Sequence, residues 1–381
     1  MKKYFYIGCI FIFLFEAASV FFILPIPGSQ EMESIGIAYF LFRWKWVFRF
    51  AGIVLMFIGA KPAWEYSRIL SIGALILLMG IMYMSTFRMK ADRMFYEPEV
   101  MKMVGKEDNK VDENKLVLGV VHNGESAAYP INYLAYHHKI HDTIGGRPFM
   151  ATYCSVCRTG RIYEPIVEGR KEAFRLVGMD HYNALFEDQT TKSWWRQESG
   201  VAVTGKLKGH ALPEYPSVQT TLKEWLALYP NSLIFQPDSA FQEDYDSLAD
   251  FESGMRKGRL ERRDSASWQE KSWIAGIEID DDAKAYDWNE LVEKQIIHDM
   301  IGFHPIVLFL ADDLTSVFSY ERISPEQKFE IRNDTLFDGT TRYNLLGYPI
   351  GSHHEPLQHV QVSQEYWHSW KTFHPGTMKK E

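Results

Sequence analysis

A likeness between two stretches of the chain, held at one spacing, constrains the fold more than any other feature. Residues 119–164 and 276–321 align without a gap at an offset of 157, and 13 of the 46 paired positions are identical. Tyr129/Tyr286, Asn132/Asn289, Leu134/Leu291, Ile140/Ile297, His141/His298, Asp142/Asp299, Gly145/Gly302, Pro148/Pro305 and Tyr163/Tyr320 recur, which predicts one backbone plan used twice. The cysteines do not recur. Cys154 and Cys157 face Ala311 and Leu314, while His137 and His138 face Lys294 and Gln295. Retained residues therefore read as scaffold, and residues present in one copy only are the candidates for chemistry. The likeness continues at an offset of 145, where Leu212, Leu222, Trp225 and Pro230 meet Leu357, Trp367, Trp370 and Pro375.

The first ninety residues are membrane material. Residues 4–24 and 69–87 are apolar runs long enough to cross a hydrocarbon core of about 30 Å. Residues 46–64 form a weaker third span, with Trp44, Trp46 and Trp64 at its ends, where amphipathic rings settle at the headgroup level. Glu16 inside the first span reads as a carboxylate hydrogen-bonded between spans. No small-residue cleavage site follows residue 24 and two further spans come after it, so the start of the chain reads as an anchor and not a removed leader. Basic residues flank both sides: Lys2, Lys3, Lys61 and Arg68 on one, Arg43, Lys45, Arg49, Arg88, Lys90 and Arg93 on the other. Counted by the positive-inside rule, they leave the large domain in the cytoplasm.

Beyond the anchor, residues 91–115 read as a charged linker with too little apolar content to fold alone. Residues 116–235 form the first repeat, 236–272 an exposed connection, and 273–381 the second, degenerate repeat. Residues 116–121 predict a strand and meet Asn123-Gly124, a hairpin signal because both central residues of a type I′ turn need positive φ. A short helix over 131–137, a strand over 148–153, further strands near 173–178, 184–187 and 201–204, and a helix over 220–229 complete the reading. The fold class expected is a set of N-terminal transmembrane helices followed by a β-rich α+β domain of two pseudo-symmetric repeats.

A net charge of −8, with basic residues scattered, argues against a nucleic-acid surface. Three cysteines, one of them Cys9 inside a span, exclude a disulfide framework. GxSxG, HExxH, P-loop and dinucleotide fingerprints are absent, so no nucleotide cofactor is expected and no catalytic residue is singled out.

GESAAYP (124–130), YHHKIHDTIGG (136–146), TYCSVC (152–157), DQTTKSWW (188–195) and WLALYP (225–230) occur in order. In them the chain resembles the family described as the domain of unknown function DUF3179, from about residue 116 to the end. The resemblance implies no activity, but members commonly look exported or membrane-anchored, which points to an extracytoplasmic domain on a plasma or inner membrane. Ser155, His138 and His141 stand where the family pattern has Pro, Glu and Asn.

Two thiols separated by two residues can chelate a soft or borderline metal or close a small disulfide. A thioredoxin-type pair sits at a helix N-terminus, whereas residues 158–163 read as turn then strand, the shape of a metal knuckle. Arg158 and Arg161 are candidates to favour the thiolates. One zinc or copper ion would need further donors, with His137 the first candidate and His122, His138, His181 and Glu125 weaker ones. Asp142 and Asp188 read as turn-capping carboxylates, and Asn183 and Gln197 as polar pocket residues. A membrane-held metal module of this kind, a thiol-disulfide oxidoreductase, and a binding domain with a structural cysteine pair all remain open at this level. The bilayer is the one partner expected.

Overall fold

The computed structural model describes residues 1–351 and 353–380. By contacts the chain divides into two units, Met1–Tyr96 with Glu172–Ala211, and Glu97–Lys171 with Leu212–Glu381.

The first unit carries three helices long and apolar enough to cross a membrane: α1 (Lys2–Phe21), α2 (Ile35–Tyr66) and α3 (Arg68–Tyr83), the last running on through a π turn over Met84–Arg88. Inside lipid every backbone group must bond within its own segment, which is why these apolar runs are helical. Small residues bring α1 and α2 together: a Cβ on Gly8 would meet the Gly52 carbonyl, and one on Gly59 the backbone of Phe5. Close backbone approach through such residues is how helices associate where burial from water gives no drive. Outward side chains such as Phe57 and Ile69, both 84% exposed, give these helices an apolar outer surface compatible with a bilayer.

The middle helix begins at Ile35, well before the expected 46. Its 32 residues rise about 48 Å at 1.5 Å each, more than a hydrocarbon core of about 30 Å. Its first turns have a protein surface to bury against. A four-stranded antiparallel sheet, ordered Ala202–Thr204, Trp194–Arg196, Asn183–Asp188, Phe174–Asp180, packs Val177, Leu185 and Trp194 on Ala38, Tyr39 and Phe42. Tyr39 donates to the Lys192 carbonyl at 3.1 Å, and Met179 N–H to the Ile23 carbonyl at 2.9 Å. Residues 172–211 thus group with the helices.

The second unit is β-rich, built of small sheets. Leu116–His122 and Glu125–Pro130 form a hairpin through Asn123 (φ 47°) and Gly124 (φ 80°), as the Asn-Gly pair requires. This hairpin joins Val218–Thr221, Leu233–Phe235 and Met103–Val104 in a five-stranded sheet. Helix Ile131–His137 then leads into a second sheet of Lys139–Ile144, Arg147–Cys154, Thr159–Tyr163 and Glu214–Tyr215. Strands Trp273–Ile279, Asp282–Asp287 and Ile296–Ile301 and helix Trp288–Lys294 follow the same order, and both ends of each lie 157 residues beyond their counterparts in 116–144. Gly119 and Gly276 hold equivalent places, because a Cβ on the first would collide with Trp225 and one on the second with Trp370.

Two segments differ from their sequence reading. Residues 91–115 are tied down: Met103–Val104 pairs with Leu233–Phe235, and Asp238 accepts from the Glu99 and Val100 N–H groups at 2.8 and 3.0 Å. Residues 236–272, expected as an exposed connection, bury Phe241, Tyr245, Leu248 and Phe251. Their aromatics are spaced among charges, so composition masks a one-sided apolar stripe that tertiary contact uses.

Candidate functional site

Strands Arg147–Cys154 and Thr159–Tyr163 pair with Cys154 opposite Thr159, so Cys154 to Cys157 occupy the tip of a hairpin. Arg158 closes the tip in the left-handed region at φ 60°. As the residue pattern predicts, a turn and a strand follow the pair, not a helix. Neither cysteine is in a disulfide, both are fully buried, and the Cys157 thiol has Cys154 and Ser369 as hydrogen-bond neighbours. Burial, and then the neighbouring thiol, push the Cys157 thiol well above the ordinary range.

What covers the tip comes from the C-terminal part of the unit. The Cys157 carbonyl accepts from Tyr366 N–H at 2.9 Å, and Ser155 Oγ donates to Glu261 at 2.7 Å. Lys271 Nζ donates to the Val156 carbonyl at 2.7 Å and lies 2.9 Å from His368 Nε2. Burial pushes the Lys271 ammonium down to about 8, against the opposing pull of Cys157, Cys154 and nearby glutamates. The charge of this buried ammonium acts on the Cys157 thiol and lowers it, against the larger effect of burial. His368 is held neutral, its imidazole taken to about 3 by burial and then by Lys271.

The expected arginines serve elsewhere. The Arg158 guanidinium lies 3.8 Å from the Trp273 ring centroid and donates to Gln364, and Arg161 bonds Glu365 at 3.1 Å and Ser363. His137 Nε2 bonds the Tyr245 hydroxyl at 2.6 Å within a cage that includes Phe235 and Phe241. Among the described residues no group of three or more His, Cys, Asp or Glu side chains is arranged to hold a metal ion.

The weaker candidates also have local roles. His138, the left-handed cap of its helix at φ 62°, turns Nδ1 to the Tyr136 carbonyl, and burial lowers it to about 4. His122 packs its ring on Phe149 and Tyr215, and Glu125 accepts from Gly145 N–H. In the first unit, His181 pairs with Asp180 at 2.9 Å. Asp142 accepts from Tyr129 at 2.8 Å, and Asp188 collects the Thr191, Lys192 and Ser193 N–H groups and Trp195 Nε1. Asn183 donates to Gln197 at 3.0 Å with both side chains buried.

The residues that sequence reasoning missed are Lys271, His368 and Ser369. Nothing in their neighbourhood announces them: Lys271 closes a charged stretch, and His368-Ser369 sit in a short aromatic helix.

The chain thus combines three helices long and apolar enough to cross a membrane with a β-rich domain that buries a pair of neighbouring thiols. The chain belongs to the family described as "Protein of unknown function (DUF3179)", which matches residues 96–377. The comparisons found no matching curated protein and no matching solved structure.

Proposed function

We propose that this protein binds one copper(I) ion through Cys154 and Cys157, in a domain held on the extracytoplasmic face of a membrane. The contact between two buried thiols beside Lys271 carries the reading. Zinc sites ask for four donors, or three and a water. A pair of soft thiolates with no third ligand grouped beside it among the described residues suits copper(I), which thiolate selects over harder ions. Two thiolates and one monovalent ion carry a single negative charge, and an ammonium in the same buried space compensates it. The recurrence of elements at an offset of 157 supports a duplicated, pseudo-symmetric unit whose second copy closes over the hairpin tip of the first.

The extracytoplasmic placement is supported by the family's usual setting. The opposing count of basic residues weakens because several have structural work: Arg49 pairs with Glu16, and Lys45 and Lys90 line a cavity. An Asp281→Cys variant, exposed in the second unit, would react with an impermeant maleimide on intact cells, and no labelling before lysis would reverse the sidedness.

The metal test is a competition titration of reduced full-length protein with a chromophoric copper(I) chelator. One ion per chain is expected, lost in Cys154→Ser and unchanged in His137→Ala. Stoichiometric zinc that disappears in His137→Ala would replace this reading with a three-donor site. Touching thiols also favour a dithiol/disulfide couple as a second reading. It predicts a measurable two-electron potential and no metal, but complete burial of both sulfurs stands against exchange with a protein disulfide.

A further inference from the structure

The first unit contains a cavity of about 120 Å³ that lies far in sequence from the cysteines and that the copper reading does not use. That is ample for several waters or a phosphate group. Its apolar wall is Phe15, Val20, Phe42, Trp46 and neighbours from the helices, with Val177 from the sheet. Its polar wall is basic: Lys45, Arg49, Lys90 and Arg175, with Glu16 the one acidic side chain.

The cations divide into two kinds. Arg49 is committed to Glu16 at 2.6 Å and to Thr86 at 2.9 Å, and Arg175 to Glu187 and Asp92 at 2.8 and 3.1 Å. Lys45 and Lys90 are not: among the described residues neither ammonium has an ion pair or hydrogen bond, and Lys45 rests only over the Phe42 ring at 4.5 Å. Two half-buried ammonium groups lining one cavity repel each other, and an anion placed between them relieves that repulsion. The exposed Trp44 and Trp46 on the same stretch of α2 mark the headgroup level. A ligand there meets phosphate-binding cations on one side and hydrocarbon on the other.

We propose that this cavity binds the headgroup phosphate of an anionic phospholipid, with Lys45 and Lys90 as its charge partners and Phe15, Phe42 and Trp46 against the glycerol and first methylenes. Bound lipid would bridge α1, α2 and the sheet over 172–211, because the lining comes from all three.

The test is native mass spectrometry of full-length protein in neutral detergent, titrated with phosphatidylglycerol, phosphatidylcholine or inorganic phosphate. Phosphatidylglycerol is expected to bind and raise the thermal midpoint, phosphatidylcholine to bind much more weakly, and inorganic phosphate to do neither at matched concentration. Each lysine near a lipid surface is worth about 1 kcal/mol, so Lys45→Gln and Lys90→Gln should each weaken phosphatidylglycerol about fivefold. Lys45→Arg should restore binding, which separates charge from folding, and Lys61→Gln at the exposed far end of α2 should change nothing. Equal affinity for the two lipids, or full selectivity in the double lysine variant, would overturn the proposal. So would saturation by inorganic phosphate alone, which would leave a free-anion site.

Discussion

Copper loading should have a pH profile that bends near the Lys271 transition, and removing that amine should straighten it. Consider first the range from pH 6 to 8. An ordinary thiol titrates near 8.5 and burial holds Cys157 higher, so loading must expel the thiol protons, about two per ion. Lys271, at about 8 in the free protein, is an ammonium before and after binding and contributes no proton. The logarithm of the apparent affinity then rises by about two for each pH unit.

Above pH 8 the free protein carries a neutral Lys271 amine. The bis-thiolate complex, one negative charge in a buried space, raises that amine again, so loading takes up one proton while releasing two. The slope falls towards about one. In Lys271→Met no such uptake exists and the slope stays steeper through the same window. The variant should also bind more weakly below pH 8. A charge pair at ~4 Å in a medium of ε about 20 interacts by about 4 kcal/mol, and part of that is cancelled by the desolvation already spent on the amine, so a loss on the order of 100-fold is expected. Chelator competition from pH 6 to 9.5, with proton release read in two buffers of different ionisation enthalpy, measures both effects. Superimposable profiles for the two proteins would refute the assignment of Lys271 as the compensating charge.

Arg49→Met leaves Glu16 buried with only Ser85 as partner, and should destabilise the helical unit by about 3–5 kcal/mol in thermal unfolding. The double replacement Glu16→Leu with Arg49→Met should recover much of that. Gly119→Ala and Gly276→Ala drive a methyl into the Trp225 and Trp370 rings and should each cost about 1–3 kcal/mol in denaturant titration, whereas Gly105→Ala, with open space around it, should be near neutral. Asp188 is lowered: burial raises its carboxyl, but hydrogen bonds from Trp195 and Thr191 outweigh that. Its stabilisation is therefore present above the unfolded carboxyl value of about 3.9 and lost as pH falls through the lower folded value. Asp188→Asn should remove that acid-dependent part of the tryptophan-fluorescence transition.

The division between what the residues announce and what the fold adds runs along physical lines. Local rules were enough wherever one stretch of chain determines its own conformation. Apolar length marks three helices long enough to cross a bilayer, Asn123-Gly124 marks a turn that only positive φ satisfies, and residues 131–137 form the helix that their pattern predicts. The hairpin form of Cys154 to Cys157 was also legible, since Arg158-Thr159-Gly160 turns and pairs instead of starting a helix. Burial in segment 236–272 was not legible, because charge dominates its composition while its aromatics meet a partner surface folded elsewhere.

Sequence by itself determined the runs long and apolar enough to cross a membrane, the family, the recurring order of elements and the identity of the sulfur pair. Tertiary structure alone decided what stands beside those sulfurs: Lys271 and Ser369 arrive from more than a hundred residues away, with His368 behind Lys271, and His137, much nearer along the chain, turns to Tyr245. It also decided that residues 172–211 pack on α2 and that Lys45 and Lys90 share a cavity. The reason is one of range. Backbone geometry and hydrophobic length act over a few residues and are written in local pattern, whereas burial and charge compensation depend on which surfaces meet, and no local pattern records that.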